Sequence, residues 1–346
     1  MRVLVTGHLG YIGTVLVPML EAAGHDVVGL DCDLYRRCTF GPGLPRMTTV
    51  LKDVRDVERE DVRGFDAVLH LAALSNDPLG DLDPDLTEDV NWRASVRLAE
   101  MAKHEGVRRF VFSSSCSTYG KAGEDVLDES AAFNPITPYG RTKVWVERDV
   151  SPMASPDFVP TYLRNATAYG VTPRHRFDVV LNNLVAHAVT TGRILVKSDG
   201  TPWRPLVHVR DIARAFLSVL ETPEDAVRDE AFNIGRTSEN HRVRDLAEIV
   251  RGAVPECTVE YAEGGGPDPR SYRVSCEKAA TTLRDFTPTW DAEAGARECL
   301  EAYRAHGLTL EEFEGPRYQR IAHVRELLRT GVLDQSLRPR VPVGEA

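Results

Sequence analysis

Three features of this 346-residue sequence predict an α/β fold, in which a doubly wound parallel sheet is followed by a smaller C-terminal α/β region. Short apolar strands alternate with helix-length segments through the first half of the chain. A turn carrying Gly7, Gly10 and Gly13 joins the first strand to the first helix. A later helix opens with Tyr139 and Lys143 one turn apart, soon after an apolar strand that ends in three serines. Strands and helices in strict succession form a parallel sheet covered on both faces, and a chain of this length buries a substantial core.

The first element, Arg2-Val3-Leu4-Val5-Thr6, reads as a short buried strand. It runs through Gly7-His8-Leu9-Gly10-Tyr11-Ile12-Gly13 into a helix from Thr14 to about Ala23, closed by Gly24. A second strand, Asp26–Leu30, ends in Asp31. Glycines in this strand–turn–helix setting let the backbone approach a pyrophosphate, whose charge sits at the helix N-terminus. The acid at the end of the second strand accepts ribose hydroxyls and repels a 2′-phosphate, so the pattern predicts NAD rather than NADP. Arg36 and Arg37 read first as solvated loop residues, with a contact to a 2′-phosphate as the alternative that would favour NADP. Asp53 and Val54 lie in a polar turn, and the strand Ala67–Leu71 is followed by Ala72 and Ala73, small enough for a cofactor to pass over the strand end. His70 reads as structural, and Ser75 opens an acidic surface loop reaching about Thr87. A helix over about 91–105 leads to the strand Phe110–Phe112 and to Ser113, Ser114 and Ser115.

Pro138 is a good first-turn residue, and Tyr139 and Lys143, four apart, share one helix face. A phenol with a free pKa of about 10 is a poor base at neutral pH, but an ammonium within ~4–6 Å favours the phenolate. A serine hydroxyl from the preceding strand end holds a substrate oxygen against the phenol. The combination suits proton transfer to an alcohol or a ketone. Beyond Val150 the alternation continues for one strand, Thr161–Arg164, and then becomes irregular. The helix Asp211–Leu220 resembles the first half in composition and predicts a return to it. Gly264–Pro267 reads as a loop, and residues 318–330 as an amphipathic helix with Tyr318, Ile321, Val324, Leu327 and Leu328 inward, stopped by Gly331. The last dozen residues read as frayed.

A net charge of −10 argues against a nucleic-acid backbone as partner. No apolar run reaches 18 residues, and Met1 leads almost directly into a strand, so no membrane span or signal peptide is expected. The six cysteines are scattered without metal spacing, which predicts no metal site and reduced thiols in a cytoplasmic protein.

These motifs resemble the extended short-chain dehydrogenase/reductases, especially the UDP-galactose 4-epimerase-like nucleotide-sugar enzymes. The resemblance rests on Thr6-Gly7-x-x-Gly10-x-x-Gly13, Asp53-Val54, His70-x-Ala72-Ala73, the three serines with Tyr119-Gly120, and Tyr139-x-x-x-Lys143. Arg164, Tyr169-Gly170, Asn182-Asn183-Leu184 and Arg204 through Asp211 extend it over roughly residues 1–285. It implies a Rossmann-type NAD-binding domain over 1–170 with a return segment near 205–222, and a mainly substrate-binding region with a tail over 171–346. Carried over by position, Gly7, Gly10, Tyr11, Ile12 and Gly13 bind the pyrophosphate region, Asp31 the ribose, Asp53 and Val54 the adenine edge, and Leu71, Ala72 and Ala73 flank the cofactor. Tyr139 becomes the acid/base, Lys143 the ribose contact that lowers its pKa, and Ser115 the hydrogen bond to the reacting oxygen. Asn183, Arg204 and Arg270 grip the diphosphate of a nucleotide-sugar substrate, arginine being suited to that by its bidentate fork. The family's common homodimer implies a four-helix interface from helices about 91–105 and 139–153. The implied activity is NAD-dependent epimerisation at C4, with 4-keto reduction, 3,5-epimerisation and dehydration as the alternatives. Cys116 and Ser117 stand where the 4,6-dehydratases carry an Asp-Glu pair, which removes the usual acid of that elimination.

Overall fold

The computed structural model describes residues 1–75, 83–262 and 270–340, so that Gly264–Pro267 and much of the loop after Ser75 lie outside the described residues. Seven parallel strands form one sheet: β1 (Arg2–Thr6), β2 (Asp26–Asp31), β3 (Thr49–Leu51), β4 (Ala67–His70), β5 (Arg109–Ser115), β7 (Val159–Asn165) and β11 (Glu230–Ile234). Their order is β11-β7-β5-β4-β1-β2-β3. The chain therefore winds outward in one direction from β1 through β2 to β3, and in the other from β4 through β5 to β7. Ligands of such sheets bind outside the carboxyl ends of the strands where the winding reverses, here between β1 and β4.

The central strands are apolar because both of their faces are covered. Val3, Val5, Leu69 and Val111 pack with Leu16 and Leu20 of the helix Gly13–Ala22, whereas Leu4, Val68, Phe110 and Phe112 pack with Leu98 and Ala102 of the helix Ala94–His104. The helix Val209–Glu221 returns to the first of these layers through Ile212 and Phe216, as the sequence predicts, and β11 follows it into the sheet. The strands β3 and β11 are the members of this sheet that the sequence pattern did not announce. The burial of β11 runs half-exposed to fully buried, and Phe232 and Ile234 are the two side chains that hold it.

The remaining strands form three smaller sheets. They are β6 (Lys121–Leu127) with β14 (Ser271–Val274), β8 (Thr167–Tyr169) with β10 (Trp203–His208) and β12 (Asn240–Arg242), and β9 (Arg193–Val196) with β13 (Thr258–Tyr261). The expected tail helix is present as Arg320–Arg329. Tyr318 and Val324 are fully buried and Gly331 ends the segment with φ +72°. The expectation of a frayed end is corrected for residues 335–340. Leu333 and Leu337 are buried in the same core as Val68 and Phe110, Leu333 bridges to Pro339, and Arg338 pairs with Asp56. Two anchoring leucines in an irregular segment produce no periodicity, so no sequence pattern marks them.

Candidate active site

At the end of β1, Gly7 has φ +75°, and a Cβ there would lie 2.6 Å from the backbone nitrogen of Ala72. A Cβ on Gly13 would lie 2.5 Å from the carbonyl oxygen of Gly7. Only glycine lets the turn fold onto itself and onto the end of β4, and this sets the first turn of the helix against the sheet's edge. Asp31, at the end of β2, accepts the amides of Leu9 (3.0 Å) and Asp33 (2.8 Å). Burial raises its pKa, while those amides and the more distant Arg174 and Arg320 oppose the rise. Arg36 and Arg37 are exposed. Asp53 caps a short turn and receives a bidentate contact from Arg55, at 2.9 and 2.6 Å.

The helix Pro138–Val150 starts with Thr137 as its cap, accepting the amide of Gly140 at 3.1 Å, and with Pro138 at its first position. Tyr139, Lys143 and Glu147 then occupy successive turns of one face. Lys143 is 2% exposed, and its Nζ donates to the carbonyl of Ser113 at 2.7 Å. The ammonium lies 5.4 Å from the centre of the Tyr139 ring. Burial pushes the Lys143 pKa down to about 7, with Glu147 pulling it up. Ser115 ends β5, and its Oγ accepts the amide of Ser117 at 3.1 Å. Ser114 donates to Glu147, which is also held by Arg164 at 2.7 and 3.1 Å.

One cavity of about 810 Å³ connects these groups. Gly7, Gly10, Tyr11, Ile12 and Gly13 line it together with Asp31, Asp53, Val54, Leu71, Ala72 and Ala73; so do Ser115, Tyr139 and Lys143, and so do Asn183, Arg204 and Arg270. All the residues expected from the sequence thus meet in one space. The glycine turn with its crowded backbone, the acid at the end of β2 and the small residues after β4 fit a dinucleotide running from Asp53 across the sheet to Tyr139. Within the cavity Asn183 donates to the carbonyl of Phe177 (2.9 Å) and Arg204 to those of Trp203 and Arg270, which fixes this part of the wall.

Cys116 does not face this space. It is fully buried beside Tyr119, Tyr272 and Cys276, and its Sγ donates to the carbonyl of Arg164. Burial raises its pKa well above the usual thiol range. Its neighbour Ser117 does line the cavity, with a buried Oγ that has no hydrogen-bond partner among the described residues. His70 bridges Thr6 (2.6 Å) and Ser95 (2.7 Å) inside the core, and burial lowers its pKa to about 3, in keeping with a structural residue.

Several wall residues carry no motif. Arg176 lines the cavity, chelates Asp178 at 3.0 and 2.7 Å and donates to the carbonyl of Ser75. Tyr272, Arg320 and Leu337 come from parts of the chain far from any recognised motif. Glu147, which braces the helix and does not line the cavity, has a readable signal, four residues after Lys143 on the same helix face.

The family model for the NAD dependent epimerase/dehydratase family matches residues 3–235. A UDP-glucose 4-epimerase of Streptomyces lividans is 33% identical over 270 residues, 72% of this chain and 80% of the relative. One from Corynebacterium glutamicum is 29% identical over 304 residues, 83% and 91% of the two chains. Among solved structures, a UDP-glucose-4-epimerase from Stenotrophomonas maltophila with bound NAD and formylated UDP-arabinopyranose superposes with a TM-score of 0.75 at 26% identity, covering 89% of this chain and 99% of that one. With a glycine turn, a Tyr139–Lys143 pair and a matching sequence over two thirds of its length, the chain belongs to the NAD-dependent epimerase/dehydratase family.

Proposed function

We propose that the protein is an NAD-dependent 4-epimerase of a nucleotide-diphosphate sugar, working through a transient 4-keto sugar. The observation that carries this reading is a single cavity holding Ser115, Tyr139 and Lys143 between the glycine turn and the arginines Arg204 and Arg270. Tyr139 takes the proton of the 4-hydroxyl as general base, and returns it after the keto sugar has turned over. The Lys143 ammonium stabilises the phenolate, and the Ser115 hydroxyl hydrogen-bonds the reacting oxygen. Asn183, Arg204 and Arg270 hold the diphosphate, leaving the sugar free to present either face. When bound, NAD supplies the acceptor and donor for the hydrogen on C4. A UDP-hexose is the first substrate to test, because the relatives are named for UDP-glucose.

The withdrawal of Cys116 from the cavity favours this reading over a 3,5-epimerisation, which needs a further acid/base pair for carbon-bound protons. Turnover of a UDP-hexose in deuterated water distinguishes the two. The hydrogen removed from C4 returns without meeting solvent, so the expected product carries no deuterium on ring carbon. Deuterium at C3 or C5 would overturn the mechanism.

We further propose the division at residue 170 into an NAD-binding and a mainly substrate-binding region, and a homodimer through the helices near 91–105 and 139–153. These helices pack side by side, with Trp92 and Trp145 5.0 Å apart. Sedimentation as a monomer at micromolar concentration would remove the dimer. Among the described residues no helix is long and apolar enough to cross a membrane. The six unbridged cysteines suit a reducing compartment, for which the cytoplasm is proposed.

A further inference from the structure

Arg320 opens the C-terminal helix Arg320–Arg329, more than a hundred and fifty residues from any dinucleotide motif, yet it lines the central cavity. It is 4% exposed. Its guanidinium lies 4.2 Å from the centre of the Tyr35 ring, and one of its nitrogens is 3.4 Å from Ser75 Oγ. Its Nε has no hydrogen-bond partner among the described residues, and no described carboxylate forms an ion pair with it. The nearby Arg176 is already matched to Asp178. Burying a guanidinium without a close ion-pair partner is costly, and here burial and Arg176 lower its pKa against the opposing pull of Tyr35, Asp178 and Cys38. A buried cation that faces the cavity, with Asp31 and Asp178 acting on it only at longer range and no paired carboxylate among the described residues, points to an anionic ligand.

Sheet topology locates that anion. The strands β2 and β4 flank β1 in the sheet. Tyr35 follows β2 and Ser75 follows β4, so a side chain that touches both reaches across the carboxyl end of β1. The turn leaving β1 is Gly7–Gly13, where the pyrophosphate of a dinucleotide is held. We infer that Arg320 closes the dinucleotide cleft from above and binds the cofactor's pyrophosphate, making the C-terminal tail part of the NAD site.

The tail is built to hold this position. His323 contacts the carbonyl of Leu34 at 3.2 Å, and Val324 and Leu327 are packed into the core below. Further on, Arg55 donates to the carbonyl of Ser336 at 2.9 Å while gripping Asp53, and Leu337 lines the adenine end of the cavity. The tail therefore covers the cofactor at two points, Arg320 over the diphosphate and Leu337 beside Asp53 and Val54.

The inference rests on NAD occupying this cleft, and the test separates the two. In the full-length protein, wild type and Arg320→Gln are compared for NAD released on denaturation, for exchange of bound NAD against labelled NAD, and for binding of ADP and of adenosine after NAD is removed. Loss of a charged hydrogen-bond donor is expected to speed exchange and weaken ADP by on the order of ten- to a hundredfold. Adenosine, which lacks phosphate, is expected to bind both proteins alike, and Arg320→Lys to recover part of the ADP affinity. The NAD-free Arg320→Gln protein is expected to melt no lower than NAD-free wild type, because an uncompensated buried charge has been removed. Unchanged exchange and ADP affinity would overturn the inference. So would equal losses of ADP and adenosine with a lower melting temperature, since that pattern marks a packing role. Wild type that binds neither NAD nor ADP would instead overturn the assignment of the cleft itself.

Discussion

Tyr139→Phe is expected to lower kcat for the epimerisation by about 10²- to 10⁴-fold, the range for removing a positioned general acid/base. KM for the nucleotide sugar is expected to change little, because the diphosphate contacts proposed for Asn183, Arg204 and Arg270 lie elsewhere on the wall. A steady-state comparison at pH 8 checks both numbers. A variant that keeps more than a tenth of wild-type kcat would show that the phenol is not the base. The pH profile adds a second check. The Lys143 ammonium, 5.4 Å from the ring centre, favours the phenolate. Lys143→Met should therefore move the acid limb of kcat to higher pH, since the phenol regains its ordinary reluctance to ionise. The limb belongs to the coupled Tyr139–Lys143 pair rather than to either group alone. Burial holds Lys143 near 7, so the same pair links catalysis to stability. Its folded pKa lies below the unfolded value, and the unfolded chain binds more protons between them. Its contribution to stability therefore rises as pH increases from about 7 towards the free lysine value.

Arg164→Leu is expected to cost about 3–5 kcal/mol of stability, the range for removing one partner of a buried ion pair. Arg164 and Glu147 are each 5% exposed and meet through three contacts, at 2.7, 3.1 and 3.2 Å. Arg164 also donates to Tyr119 and to the carbonyl of Glu129, both at 3.0 Å. The leucine variant leaves the Glu147 carboxylate buried with only the Ser114 hydroxyl. A double variant with Glu147→Gln should recover much of the loss, because it removes the stranded charge. Urea unfolding of the single and double variants measures both. A deficit below 1 kcal/mol in the single variant would mean that the pair is dispensable. Since Glu147 follows Lys143 by one turn, the pair also fixes the catalytic helix against β5 and β7.

The sequence alone determined the parts that local chemistry encodes. Gly7 and Gly13 are legible because a backbone with φ +75° and 2.5 Å of space admits nothing larger, and Asp31 because it ends the next strand. Tyr139 and Lys143 are legible because helix geometry places residues four apart together. The fold class followed from the alternation of apolar strands and helices. Tertiary structure decided whatever depends on which distant segments meet. Whether Cys116 faces the cavity turned on the helical turn Cys116–Tyr119 that follows β5, which buries its Sγ against Arg164 and leaves Ser115 and Ser117 on the cavity. The last strand of the sheet, β11, joined through pairing with β7 that no local pattern announces. The tail, which reads as an amphipathic helix and a frayed end, became a wall of the central cavity. Arg320 touches Tyr35 and Ser75 only because the sheet order sets β2 and β4 on either side of β1. A periodic pattern reports which face of a segment is buried; it carries no information about which surface covers that face.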